Sequence, residues 1–382
     1  MVNVAKDVEF SEFTKENFKT TLGQSVKLTK VTKSYDGIKA LDEVDIEIEP
    51  GSFTVLLGPS GSGKTTLLKS IAGIIKPDSG SVMIGQNTVF DHQTWVPPEK
   101  RELSMVFQDF ALWPHMTAVN NVAFALKRRK LPRESVKNLS RNMMEKVGLL
   151  DHVNNYPDQL SGGEQQRVAL ARALVAQVGV VLFDEPMSNL DTDRREILRF
   201  EISTLIHEYN ATAIYITHDQ SEAFSLADKI AVLDKGKIQQ YDTPENIYKG
   251  PASAMVARFT GISGELPVKY AIGDDCTDVA KVIVDDELNC KPISLVATND
   301  LANGKLKLFI RPTALKIVQP TPLSTLTGII VDVSYCGKGY EHVIKLPDKS
   351  LLTKVFSENR FNRDELVGIM VDPSGCLLLK DD

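Results

Sequence analysis

The chain has 382 residues, a formal net charge of −6, 42% hydrophobic residues and 25% charged residues. This balance is typical of a globular protein of about two or three domains, and it gives no basic footprint for a nucleic-acid partner. No apolar run approaches the roughly 20 residues needed to cross a bilayer, and the charged N-terminus lacks the apolar core of a secretory signal.

The chain begins with a polar stretch, residues 1–24, that has little periodicity, and we expect a loosely attached N-terminal extension. Short strands follow. The segment DIEIEP at 45–50 alternates apolar with acidic residues, as a strand with one solvated face does. FTVLLG at 53–58 is continuously apolar, which predicts a strand buried on both faces.

A glycine-rich segment, LLGPSGSGKTT at 56–66, links that buried strand to a helical stretch. It matches the pattern G-x-x-x-x-G-K-[ST], in which backbone N–H groups and a helix dipole hold a phosphate. Lys64 would place a positive charge on the β- and γ-phosphates, and the Thr65 hydroxyl is a candidate Mg²⁺ ligand. The residues expected to bind ATP here are Gly58, Pro59, Ser60, Gly61, Ser62, Gly63, Lys64, Thr65 and Thr66.

The segment QLSGGEQQRV at 159–168 begins another helix. Ser161 and Glu164 fit a capping box, in which each side chain satisfies a backbone donor at the helix start. Gly162 and Gly163 stay unexplained, because a glycine costs roughly 1 kcal/mol against alanine within a helix. Paired glycines at a helix N-terminus are consistent with an anion that approaches the backbone closely. Both interpretations stay open.

Two further buried strands, VGVVLFDE at 178–185 and TAIYIT at 212–217, are separated by a helical stretch. Strands that alternate with helices predict a parallel sheet, so this part of the chain is α/β. The first strand ends in two carboxylates, which a solvated strand end would also explain. Beside a phosphate loop, Asp184 is a candidate for holding Mg²⁺ through water, and Glu185 for the general base that activates the attacking water.

Together these motifs, over about residues 25–260, resemble the nucleotide-binding subunits of ATP-binding cassette (ABC) transporters in order and spacing. The resemblance implies a P-loop NTPase cassette with a helical subdomain at about 109–160. It also implies that Tyr35 stacks on adenine, that Gln108 contacts Mg²⁺ and senses the membrane partner, and that His218 contacts the γ-phosphate.

LSGGE at 160–164, here termed the signature segment, looks like the family element that binds the γ-phosphate of an ATP held by a second copy. Glu164 stands where the family usually has glutamine. SNLD at 188–191 resembles the loop that crosses between subunits, with Asp191 at its end. The residues implied to meet the second ATP are Ser161, Gly162, Gly163, Glu164 and Asp191.

The character of the chain changes after residue 260 to short strands and turns, which predicts an all-β domain over 266–382. LFIRPTALKIV at 308–318 resembles the OB-like TOBE domain of importer ATPases of the sugar, polyamine and ferric-iron group, although Thr313 replaces the usual acidic residue. The four cysteines all lie in this domain without metal-site spacing, which predicts reduced thiols and a cytoplasmic location: positions 276, 290, 336 and 376.

The resemblance as a whole implies the ATP-hydrolysing subunit of an importer, a peripheral protein on the cytoplasmic face of the membrane. Its partners would be a second copy of itself, two transmembrane permease subunits and, indirectly, an extracytoplasmic solute-binding protein. A soluble ABC ATPase of repair or translation is less well supported, since neither an inserted coiled coil nor a second cassette is present. A degenerate scaffold is disfavoured because Lys64, Asp184, Glu185 and His218 are all retained.

The segment QDFALWPHMT at 108–117 is the predicted contact with the permease. There Phe110, Trp113 and Met116 would form an apolar surface, with internal packing of Trp113 as the alternative. Within it, ALWPHMT at 111–117 is more similar to the ferric-iron and phosphonate branches than to the sugar branch. Ferric iron is therefore the predicted solute, with polyamine, phosphonate and sugar as alternatives.

Overall fold

The computed structural model describes residues 23–188, 192–274, 277–284, 293–296, 306–322 and 324–380. Its residues divide into two compact units, the first ending at Pro244 and the second beginning at Glu245. Most of the predicted N-terminal extension lies outside the described residues, as do Asp191, Cys276 and Cys290. No helix in the described ranges is long and apolar enough to span a membrane.

The first unit contains an antiparallel sheet and a largely parallel sheet. Its strands are β1 (Val26–Tyr35), β2 (Ile38–Ile48), β3 (Phe53–Leu57), β4 (Ser79–Ile84), β5 (Asn87–Phe90), β6 (Leu103–Val106), β7 (Val180–Asp184), β8 (Thr212–Ile216), β9 (Lys229–Asp234) and β10 (Lys237–Asp242). The strand order is β2-β1-β4-β5 in the first sheet and β10-β9-β3-β8-β7-β6 in the second. In the second sheet the described pairs are parallel except β9 with β10, so the α/β prediction is confirmed.

Burial explains the sequence patterns of these strands. Every residue of β3, β7 and β8 is buried, which accounts for their continuously apolar sequences. In β2, by contrast, residues 44–48 alternate between buried and exposed, as the acidic alternation predicts. The central strands therefore hold the parallel sheet together, while the antiparallel sheet keeps a solvated face.

The helices of the first unit are α1 (Lys64–Ala72), α2 (Ala118–Phe124), α3 (Arg133–Lys146), α4 (Gly162–Val175), α5 (Thr192–Glu208) and α6 (Gln220–Leu226). Three of them, α1, α5 and α6, follow the parallel strands β3, β7 and β8 along the chain. In a parallel sheet the carboxyl ends of the strands share one edge, where ligands bind. The turns that lead into these three helices therefore form the candidate site.

A buried arginine fixes the end of α1 that lies away from the phosphate loop. The guanidinium of Arg101 donates to the carbonyls of Ser70 and Ile71 at 2.8 and 2.6 Å. Burial lowers the pKa of Arg101 to about 10. A cation at a helix C-terminus is favourable because it compensates the helix dipole, and Arg101 therefore stabilises the helix that follows the phosphate loop.

The second unit is built mainly of antiparallel strands. They are β11 (Gly264–Asp274), β12 (Thr277–Val284), β13 (Ile293–Val296), β14 (Leu306–Ile310), β15 (Leu315–Val318), β16 (Leu326–Tyr335), β17 (Tyr340–Lys345), β18 (Leu351–Ser357), β19 (Leu366–Val371) and β20 (Cys376–Lys380). They form two sheets in the orders β13-β12-β11-β14-β20 and β15-β19-β16-β17-β18. Two short helices, α7 (Pro244–Lys249) and α8 (Ala254–Phe259), precede the strands.

The second compact unit begins earlier than the predicted domain over 266–382. The reason is Arg311, a buried residue directly after β14. Its guanidinium donates to the carbonyl of Tyr248 at 2.6 Å, of Ala257 at 3.2 Å and of Gly261 at 2.6 Å. These bonds join α7 and α8 to the strands, while the limits of the functional domains stay a prediction.

Candidate nucleotide-binding site

The phosphate loop joins β3 to α1, and two of its glycines are required by the backbone around them. Gly58 has a φ of 152°, and a Cβ there would lie 2.2 Å from the carbonyl oxygen of Leu233. Gly63 has a φ of 106°, and its Cβ would lie 2.3 Å from the carbonyl oxygen of Ala40. Neither position can carry a side chain without movement of the neighbouring backbone, so this conformation of the loop depends on glycine.

Lys64 is held inside this loop. Its ammonium Nζ donates to the carbonyl of Gly58 at 2.7 Å and to that of Pro59 at 2.9 Å. Lys64 is only 6% exposed, and burial lowers its pKa while the charge of Glu185 opposes that shift. The loop thus places a nearly buried cation where the sequence predicts the β- and γ-phosphates.

The remaining loop residues differ in what they can offer a phosphate. Ser62 is 2% exposed, so its side chain is not a surface group. Its backbone N–H donates to the carbonyl of Pro59 at 3.2 Å. Ser60 and Gly61 are exposed. The helix that follows has Gly63 as its N-cap, no side-chain cap and no acidic residue in its first turn. Its first N–H groups therefore carry uncompensated positive partial charge, which favours an anion.

Asp184 ends β7 and is buried beside α1. Burial raises the pKa of this carboxyl, Lys69 opposes the shift from 4.0 Å, and Glu185 adds to it. Thr65 lies one helical turn before Lys69, so it is on the face of α1 that meets Asp184. A hydroxyl and a carboxylate suit Mg²⁺, which takes few protein ligands together with phosphate oxygens and water. A bound dication would favour the ionised form of Asp184.

Glu185, the next residue after Asp184, lies in a strained turn that His218 and Gln108 also contact. It is a non-glycine residue with a φ of 47°, a conformation that costs of order 1–3 kcal/mol and clusters at functional sites. Its carboxylate Oε2 lies 3.6 Å from Nδ1 of His218. The hydroxyl of Ser188 donates to the Glu185 carbonyl at 3.1 Å, and Nε2 of Gln108 donates to that hydroxyl at 3.3 Å. The structure thus brings Gln108, Glu185 and His218 together.

Tyr35, the residue predicted to stack on adenine, ends β1 with its ring accessible. Its side chain is 46% exposed, and Nζ of Lys33 lies 5.4 Å from the centroid of its ring. An exposed aromatic face beside a cation can stack on a purine without first leaving a packed core. The assignment of Tyr35 to adenine stays a prediction.

The signature segment forms the start of α4, and its capping box is confirmed. The N–H of Ser161 donates to Oε2 of Glu164 at 2.8 Å, and the N–H of Glu164 donates to Oγ of Ser161 at 3.4 Å. The backbone bond from Ser161 lowers the pKa of Glu164. A Cβ added at Gly162 or Gly163 would meet no atom within 4 Å, and neither residue has a positive φ. Nothing in the described chain therefore requires glycine at these two positions.

The predicted permease contact is wrong for one of its residues. Phe110 is 7% exposed, so its side chain is buried and not part of a surface. Its backbone carbonyl accepts a 2.7 Å hydrogen bond from the buried guanidinium of Arg172 on α4. The centroid of the Trp113 ring lies 5.0 Å from Cζ of Arg172 and 4.2 Å from the centroid of the Phe124 ring. This is the internal packing considered above. Met116 is half-buried. Sequence reasoning did not single out Arg172, since a lone arginine in a helix gives no signal.

Comparison with known proteins decides the family. An ABC transporter model matches residues 41–188, and a TOBE domain model matches residues 308–379. A spermidine/putrescine import ATP-binding protein of Marinobacter nauticus is 38% identical over 89% of this chain and 88% of its own length. The chain belongs to the ATP-binding subunits of ABC importers.

Other relatives of this ABC subunit carry different solute names. An Fe(3+) ions import ATP-binding protein of Vibrio cholerae is 36% identical over 93% of this chain and 97% of its own. A trehalose/maltose import ATP-binding protein of Thermococcus litoralis is 45% identical over 62% of this chain and 64% of its own. Among solved structures, a dimeric ATP-binding cassette bound to ADP and phosphate is 33% identical, with a TM-score of 0.51, over 57% of this chain and 98% of that chain.

These matches confirm the predicted P-loop NTPase cassette and the C-terminal TOBE domain. The ABC subunit is an ATPase, and it acts in solute import. The relatives' names cover polyamines, sugars and ferric iron, so they do not select one solute.

Proposed function

We propose that this ATPase binds Mg²⁺-ATP between the phosphate loop of one copy and the signature segment of a second copy. Binding closes the dimer, and hydrolysis opens it. This motion drives two transmembrane permease subunits between outward- and inward-facing states, while the ATPase stays on the cytoplasmic face of the membrane. An extracytoplasmic solute-binding protein supplies the solute to the permease.

The observation that carries this proposal is the open space at Gly162 and Gly163. Both glycines lie in the first turn of α4, and a Cβ at either one would touch nothing in the chain. Their glycine identity is therefore explained by a group from outside. A helix N-terminus carries positive potential, which the carboxylate of Glu164 in the first turn of α4 reduces, and an anion is still the kind of group that this backbone accepts. The γ-phosphate of an ATP on a second copy has the chemistry that such a surface accepts.

Cross-linking tests the dimer. In a variant without its own four cysteines, we place cysteines at Ser60 and Ser161, which are both exposed, whereas Ser62 is too buried to react. With Glu185→Gln to preserve ATP, a short bifunctional thiol reagent should link two chains into a species of twice the monomer mass, because bound nucleotide stabilises the closed dimer. The product is measured by denaturing gel electrophoresis, with and without ATP.

Two variants with one cysteine each serve as controls, since neither alone can form the loop-to-signature link. An ATP-dependent link within a single chain would show that the signature segment serves its own phosphate loop. A yield that does not change with ATP would show that nucleotide does not bring the two surfaces together.

Ferric iron is the proposed solute, on the similarity of residues 111–117 to the ferric-iron branch; polyamine, phosphonate and sugar are the alternatives. A deletion strain should lose uptake of labelled ferric iron and keep uptake of spermidine and maltose. The intact gene should restore uptake of ferric iron to the deletion strain, and the gene for the Lys64→Ala variant should not. Loss of spermidine uptake instead would assign the protein to polyamine import.

A further inference from the structure

A buried glutamine on α4 reaches the turn that carries Glu185. Gln166 lies just after the signature segment and is 1% exposed. Its amide Nε2 donates to the carbonyl of Pro186, the residue that follows Glu185. This hydrogen bond connects α4 with the turn after β7, and Gln166 is not among the predicted site residues.

Several contacts hold the turn after β7 among the described residues: Met187 is buried, Nε2 of Gln108 donates to the hydroxyl of Ser188, and Glu185 lies 3.6 Å from His218. The N–H and hydroxyl of Ser188 donate to the carbonyl of Glu185 at 3.4 and 3.1 Å, which closes the turn on itself. Gln166 is the contact that ties the turn to α4. Glu185 precedes Pro186 directly and lies in the small left-handed region of backbone space, so the bond that holds Pro186 also restrains the backbone from which the carboxylate extends.

Folding stability alone does not account for this glutamine. Its Oε1 is buried and has no hydrogen-bond partner in the described part of the chain. An unsatisfied buried acceptor costs about 1–3 kcal/mol, which offsets what the bond to Pro186 contributes. An apolar side chain of the same length would remove the unpaired oxygen but leave the carbonyl of Pro186 without this donor, so the two effects on stability oppose each other.

The same side chain borders the signature segment. A pocket of about 240 Å³ beside the start of α4 is lined by Ser161, Gly163, Glu164, Gln166, Arg167, Ile197 and Leu198. Gln166 thus contacts this pocket on one side and the catalytic turn on the other. One buried amide therefore connects the start of α4 with Pro186.

We propose that Gln166 is a positioning residue that couples the signature segment to Glu185 of the same chain. The proposal rests on the ATP sandwich described above. An ATP held by the second copy engages the signature segment, α4 takes its closed position, and Gln166 sets the Glu185 carboxylate against the chain's own ATP. Each ATP then prepares the other for hydrolysis, so the two sites act cooperatively.

The test is Gln166→Met, which keeps the length of the side chain and removes both the donor and the unpaired oxygen. We expect the affinity for ATP to stay within about twofold and the melting temperature to change little, because the loss of the bond to Pro186 is offset by removal of the unpaired oxygen. The maximal hydrolysis rate should fall about 10–100-fold, since misplacement of a catalytic group costs that much. The Hill coefficient for ATP hydrolysis should fall to about 1, because the sites no longer communicate.

Gln165→Met is the matched control. The amide of Gln165 donates to the carbonyl of Pro157 at 2.8 Å and to that of Leu160, the first residue of the signature segment, at 3.1 Å. It therefore supports the start of α4 without a bond to the turn that carries Glu185. This variant should lose thermal stability and keep the Hill coefficient of the wild type. If Gln166→Met does not fold, Gln166→Leu makes the same test, because leucine also fills apolar space and cannot donate to Pro186.

The possible outcomes test the role of Gln166 and the ATP sandwich separately. A Gln166→Met protein with an unchanged Hill coefficient overturns the coupling, whatever its rate. A wild-type protein that shows neither cooperativity nor an ATP-dependent cross-link overturns the sandwich itself. Loss of cooperativity in Gln165→Met as well would show a general effect on α4 and would also overturn the role of Gln166.

Discussion

Replacing Glu185 with glutamine should lower the rate of ATP hydrolysis by about 10²–10⁴-fold while ATP still binds. The amide keeps the size of the side chain but cannot accept a proton from the attacking water. The turn should persist, since the bonds from Ser188 and Gln166 reach the backbone of Glu185 and Pro186 and not the carboxylate. Phosphate release under steady state measures the rate, and nucleotide titration measures the affinity.

Glu208→Gln is the matched control for this change. Glu208 is an exposed carboxylate at the end of α5 that pairs with Lys146, away from the predicted site. The Glu208→Gln protein should hydrolyse ATP at the wild-type rate. If Glu185→Gln also turns over at nearly that rate, another group is the base, and the strained turn at Glu185 has a different purpose.

Removing the Lys64 side chain, as in Lys64→Ala, should weaken ATP binding by about 10²-fold or more. A hydrogen bond to a charged group contributes about 1.5–3 kcal/mol, and the triphosphate loses at least one such bond together with its nearest cation. Isothermal titration of the isolated protein with Mg²⁺-ATP measures the loss. Hydrolysis should fall with it because little nucleotide is bound.

Lys76→Ala removes an equal charge from an exposed position after α1 and should leave the affinity unchanged. The melting temperature of Lys64→Ala without nucleotide is a second measurement, since the carbonyls of Gly58 and Pro59 lose their donor. Wild-type ATP affinity in a folded Lys64→Ala protein would contradict the assignment of the phosphate loop.

The sequence predicts features whose cause is local. The continuous apolar run of β3 and the acidic alternation of β2 follow directly from which faces are buried. The glycines of the phosphate loop are predictable because each fixed spacing reflects a backbone clash, as at Gly58 and Gly63. The capping box is predictable because both partners lie within one helical turn.

The features that sequence reasoning missed depend on distant backbone atoms. Arg101, Gln166, Arg172 and Arg311 all donate to carbonyl groups elsewhere in the chain, and a carbonyl is present at every residue. No residue pattern can therefore mark the acceptor. The error at Phe110 is of a related kind, because burial of its side chain depends on tertiary packing that the local sequence does not show.

The bonds between Lys64 and the carbonyls of Gly58 and Pro59 have a consequence for which nucleotides the loop retains. Binding is a competition in which an incoming phosphate must displace acceptors that the protein already provides. A ligand whose charge ends at the α-phosphate does not reach the ammonium and leaves the internal bonds in place. A di- or triphosphate offers enough negative charge to replace them. If Lys64 meets the β- and γ-phosphates as predicted, we therefore expect the loop to select by phosphate number before the second subunit takes part, and adenosine monophosphate to be a poor competitor even though it carries the same base.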